Sequence, residues 1–116
     1  MDEYGREEHL WVIATEPNAD GLFAIASLTS LKGSKDQTII LSPGEHPFIK
    51  WPTCVAYAVA DISSSEKLHS HLERGAAKMQ QDASEKMLKL VLDGFAASDL
   101  TKKRVREFVL AYKAAR

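Results

Sequence analysis

From Leu10 to Ala60 the apolar residues come in short runs of β-branched and aromatic types separated by turn chemistry, a pattern that predicts several short strands. Leu10–Thr15 (LWVIAT) reads as a strand and Glu16–Gly21 (EPNADG) as its turn, because Pro, Asn, Asp and Gly favour geometries outside a ladder. Leu22–Leu28 is the next strand, Lys32–Gln37 a polar loop, Thr38–Ser42 a third strand, and Pro43-Gly44 a turn. Thr53–Ile62 (TCVAYAVADI) is the longest. Strict alternation would put Val55, Tyr57 and Val59 on one face and Ala56, Ala58 and Ala60 on the other.

After Ser63-Ser64-Ser65 the apolar spacing lengthens to that of a helix. Ser65, Leu68 and Leu72 predict a short helix that Gly75 ends or bends. Met87, Leu88, Val91, Leu92 and Phe95 form the apolar stripe of a second helix, starting near Asp82. Val105, Phe108, Val109 and Tyr112 form that of a third, with Asp99 or Thr101 as its cap. Strands first and helices afterwards predict the α+β class. Short strands joined by tight turns tend to curl, so the expected form is a small, partly open antiparallel β-barrel over about residues 9–63, followed by two or three α-helices over about 64–116, in a single domain.

The 116 residues, 45% hydrophobic and 27% charged, suit one globular domain with its own core, and no run approaches the length of a membrane span. The opening MDEYGREEHL lacks a secretory pattern, which leads to the expectation of a cytoplasmic protein with no membrane partner. Cys54 is the sole cysteine, with no neighbour at zinc spacing, and it reads as a small buried strand residue. The net charge of −1 gives no global attraction to nucleic acid. The distribution is uneven, however. Lys102, Lys103, Arg104, Arg106, Lys113 and Arg116 make a basic C-terminal stretch that reads either as a solvated helix face or as a track for an RNA backbone.

Candidate chemistry gathers around "LSPGEHPFIKW", Leu41 to Trp51. The imidazole of His46 can act as acid or base; it can equally hold the corner by hydrogen bonds to the loop, while Pro47 and Phe48 set the turn and plug the core. Lys50 beside Trp51 suits a phosphate and a stacked base. Thr29, Ser30 and Lys32, at the end of the second strand, can hold a phosphate or simply begin a loop. Arg6 and His9 can meet an anion or remain solvated. His69 and His71, two apart on a helix, point about 200° from each other, so one metal ion cannot take both. There is no Gly-rich phosphate loop, GxSxG or carboxylate–histidine metal pattern, and neither metal nor cofactor is expected.

Taken together, "HLWVIAT", "LFAIASLTS", "TIILSPGEHPFIKWPTCVAYAVADI" and "LTKKRVREFV" resemble the PemK/MazF-like growth-inhibitor superfamily of toxin–antitoxin systems, in a branch with a Pro-Gly-acidic-His-Pro-Phe corner. The resemblance covers about residues 9–63 well and the helical remainder loosely. It implies an SH3-like barrel, commonly a homodimer, acting as an endoribonuclease that cleaves single-stranded RNA by 2′-OH attack and is held inactive by an antitoxin protein. On this resemblance the catalytic candidates are His46, Arg6 and Thr29, and the RNA-binding candidates are His9, Ser30, Lys32, Lys50 and Trp51. The family's arginine–proline pair before the Leu10–Thr15 strand is absent here, and Arg6 is the residue offered in its place. The alternative is a non-catalytic module that binds protein or nucleic acid in the barrel groove.

Overall fold

The computed structural model describes residues 2–3, 5–6, 10–75, 79 and 82–116, the first two pairs by their backbone alone. Asp2–Glu3 (β1) and Gly5–Arg6 (β2) pair as a small antiparallel ribbon. The main sheet has four antiparallel strands: Trp11–Ile13 (β3), Leu22–Ser30 (β4), Ile40–Leu41 (β5) and Thr53–Ser64 (β6), in the order β3-β4-β6-β5. It does not close. Three helices follow, Ser65–Glu73 (α1), Glu85–Ala97 (α2) and Lys103–Ala114 (α3), and the architecture is α+β with strands first, as the pattern predicts.

Pairing sets the two faces of the sheet. Val12, Ala24, Ala26, Leu28, Leu41, Val55, Tyr57 and Ala60 point toward α2 and α3 and form one core with Met87, Val91, Phe95, Val105 and Val109. The opposite face carries Trp11, Ile13, Ile25, Ser27, Thr29, Ala56 and Ile40, and α1 lies over one end of it near Ile13 and Phe23. Alanines dominate the middle of the core face, so α2 approaches closely. Gly94 of α2 sits directly against the Tyr57 ring, whose hydroxyl donates to the Val91 carbonyl at 2.6 Å and whose edge meets Phe95.

Strict alternation fails in β6. Ile25 pairs with Asp61 and Ser27 with Ala56, so two steps on β4 span five on β6, and three extra residues bulge out. An odd insertion inverts the faces. Ala60 therefore enters the core, while Val59, expected beside Val55 and Tyr57, is 52% exposed.

Other boundaries move for local reasons. The third strand shrinks from the expected Thr38–Ser42 to Ile40–Leu41, because the Asp36 carboxylate accepts the Thr38 N–H and holds that segment as a turn. α2 starts at Glu85 rather than near Asp82, since Ser84 Oγ accepts the Met87 N–H as its cap. At α3 the N-cap position is Lys102, not Asp99 or Thr101, and it makes no side-chain cap bond. α1 ends where expected, with Gly75 in the left-handed region at φ 74°. No helix among the described residues is long and apolar enough to cross a membrane.

Candidate functional site

The ends of β4, β5 and β6 meet at one edge of the molecule. Thr53 opens β6 between Ser30 and Leu41, and just beyond the ladder the Leu31 N–H donates to the Pro52 carbonyl at 3.0 Å. These bonds bring Ser30 to Lys32 alongside Lys50 to Pro52. Lys32, Lys50 and Ser30 are exposed, and Trp51 is 60% exposed. Two ammonium groups, a hydroxyl and a largely exposed indole thus share one end of the sheet. Such a set suits a phosphate backbone with a stacked base.

The loop that presents Lys50 and Trp51 is a built corner. The Ser42 N–H donates to Glu45 Oε2 at 2.6 Å, and Gly44, at φ 97°, turns the chain. The Ile49 N–H donates to the His46 carbonyl at 2.8 Å, and the Phe48 N–H to His46 Nδ1 at 3.0 Å. Thr53 Oγ1 closes the loop on the Trp51 carbonyl at 2.8 Å. His46 is only 5% exposed and uses a ring nitrogen as the acceptor of a turn two residues on, the role an Asn or Asp side chain often has. Ile49, rather than the expected Phe48, plugs the core; Phe48 lies at the surface.

The other candidates scatter. Thr29, half-buried, lies on the face opposite that of Ser30, since adjacent strand residues point to opposite sides. His9 and the side chain of Arg6 lie outside the described residues. The basic C-terminal stretch is largely tied into the fold: Arg104 pairs with Asp61 at 2.9 Å, Lys113 with Asp93 at 2.9 Å, and Arg116 with Glu16 at 3.6 Å. Arg106 donates to the Ser98 carbonyl at 2.7 Å. His69 lies 3.4 Å from Glu73. Among the described residues no three His, Cys, Asp or Glu side chains gather as metal ligands.

One polar node carries no sequence motif. Asp36 is buried, accepting from Ser98 Oγ at 2.7 Å and from the Thr38 N–H at 3.1 Å, and Ser98 in turn accepts the Leu100 N–H at 3.1 Å. Burial pushes the Asp36 carboxyl up, but the hydrogen bonds from Ser98 and Thr38 outweigh it and hold the group below the usual carboxylate range. Burial raises the Cys54 thiol, with Asp36 nearby adding to the effect, and raises the Tyr57 hydroxyl in the same way. The node fastens the 31–39 loop to the end of α2. Its sequence signal was a Ser just after the apolar stripe of α2.

Set against protein-family models, curated proteins and solved structures, the chain matches none of them.

Proposed function

We propose that this protein is a single-stranded RNA-binding module, an open relative of the small SH3-like barrel, which takes RNA at the sheet end formed by Ser30, Lys32, Lys50 and Trp51. The observation that carries the reading is the hydrogen bond from Leu31 to Pro52 just beyond the ladder, which sets two exposed lysines beside an exposed indole. The bulge in β6 and the short outer strands β3 and β5 suit a curled sheet. Cleavage by 2′-OH attack would ask His46 to take the 2′ proton or to give one to the leaving 5′ oxygen. That ring is buried and its Nδ1 is engaged by Phe48, so binding without cleavage is the reading taken here.

The test is a titration of a fluorescein-labelled, unstructured RNA oligomer, followed by anisotropy at low and moderate salt. Binding that weakens with salt is expected, with a fall of about five- to hundredfold in Trp51→Ala, as stacking worth about 1–3 kcal/mol per base gives, and a fall in Lys32→Gln/Lys50→Gln together with a shallower salt dependence as phosphate contacts are lost. No binding at low salt, or binding indifferent to both variants, contradicts the proposal. RNA cut to 2′,3′-cyclic phosphate ends would restore the catalytic alternative.

A further inference from the structure

Resting on the RNA-binding reading above, we infer that Phe48 is a second stacking platform beside Trp51, so that the site takes two adjacent bases of one strand and holds the phosphate between them on Lys50. The corner presents Phe48 outward, 42% exposed, and buries Ile49 in the core in its place. From 48 to 51 the order is therefore exposed ring, core anchor, exposed ammonium, exposed ring. Three chain steps separate the two rings, which keeps their Cα atoms within about 11 Å of each other. Two aromatic surfaces with a cation between them match the repeat of a single strand, in which base, phosphate and base follow one another.

Both rings stand on backbone that is already fixed. Phe48 follows Pro47, whose ring sets its own φ, and the Phe48 N–H donates to His46 Nδ1 at 3.0 Å. On its other side the Ile49 N–H donates to the His46 carbonyl at 2.8 Å, and the Ile49 carbonyl accepts from the Gly44 N–H at 3.3 Å. Trp51 precedes Pro52, which disfavours helical backbone at the residue before it, and the Trp51 carbonyl accepts from Thr53 Oγ1 at 2.8 Å. Stacking at such a corner is offset by little loop ordering. His46 then acts as a positioning residue, because its ring and its carbonyl set the backbone on either side of the Phe48 side chain.

The charges favour a nucleic-acid strand over an apolar protein partner as the occupant. Lys32 and Lys50 are both exposed at this edge, while the carboxylate of the corner, Glu45, is turned back onto the Ser42 N–H at 2.6 Å. The bases of a duplex are stacked on one another and offer neither ring a face, so the pair of rings also selects single-stranded RNA.

Anisotropy titrations of a short, labelled, unstructured RNA with the parent chain and with Phe48→Ala, Phe48→Leu and Phe48→Trp test this. Phe48→Ala should weaken binding by about five- to hundredfold, the loss that one stacked base gives. Phe48→Leu keeps apolar bulk without an aromatic face and should weaken it nearly as much, whereas Phe48→Trp should bind at least as tightly as the parent. Circular dichroism melts should stay close to the parent's, since the ring lies at the surface; Phe48→Leu remains informative if Phe48→Ala fails to fold. On an oligomer of the same length that keeps a single base and is otherwise abasic, the parent should bind more weakly and Phe48→Ala should cost little more. A parent that binds RNA through Trp51, with Phe48→Ala or Phe48→Leu binding as tightly, overturns the inference and leaves the RNA-binding reading standing. A parent that binds no RNA overturns both.

Discussion

In an open helix position, replacing Gly94 by Ala would stabilise the protein by about 1 kcal/mol, because alanine is the better helix former. Here the opposite sign follows from packing. A Cβ at position 94 would overlap the Tyr57 hydroxyl and ring and would press on Ile39, and Tyr57 is fully buried with no solvent to move into. Overpacking of this kind costs roughly 1–3 kcal/mol. Displacing the hydroxyl also loses its 2.6 Å bond to the Val91 carbonyl, about 1 kcal/mol more. Against the helix gain, the net is a loss of about 2 kcal/mol. Urea unfolding should show a midpoint lowered by roughly 1 M with an unchanged slope. Adding Tyr57→Phe should restore part of the loss, since it removes the nearest clashing atom. A Gly94→Ala protein more stable than the parent would refute the close approach of α2 to the sheet.

Two further outcomes follow from the polar corner and the buried node. Asp36→Ala should cost about 2–3 kcal/mol at neutral pH, where the carboxylate and its partners are charge-assisted. Because its folded value is depressed, this stabilisation is present above the unfolded value near ~3.9 and is lost as pH falls through the lower folded value; the gap between parent and variant in urea midpoints should therefore narrow on the acid side. His46→Ala should lower stability by roughly 1–3 kcal/mol, whereas His46→Asn, which can still accept the Phe48 N–H, should cost less, as thermal melts would show. Equal losses from both substitutions would argue against the turn role.

The α+β order and all three helices were legible because apolar spacing reports the period of each element directly. What escaped is non-local. The face swap at Val59 depends on three residues that β6 has and β4 lacks, a fact of pairing that no window of β6 contains. The node of Asp36 and Ser98 joins residues 62 apart, and each alone looks like ordinary turn or cap chemistry. At the candidate site, the turn residues of the corner announced a corner, and Lys50 with Trp51 announced a surface. The role of His46 depended on where its ring points, which the loop's own hydrogen bonds decide. Ser30 and Lys32 join Lys50 and Trp51 only because Thr53 pairs back onto Ser30, a contact the strand pattern permitted without specifying.

The most direct measurement of the central claim is the change in backbone amide NMR shifts when an unstructured RNA oligomer is added to the labelled protein. The account predicts the largest changes at Ser30 to Lys32 and at Lys50 and Trp51, including the Trp51 indole N–H. Changes confined to the α3 residues, or none at all, would contradict it.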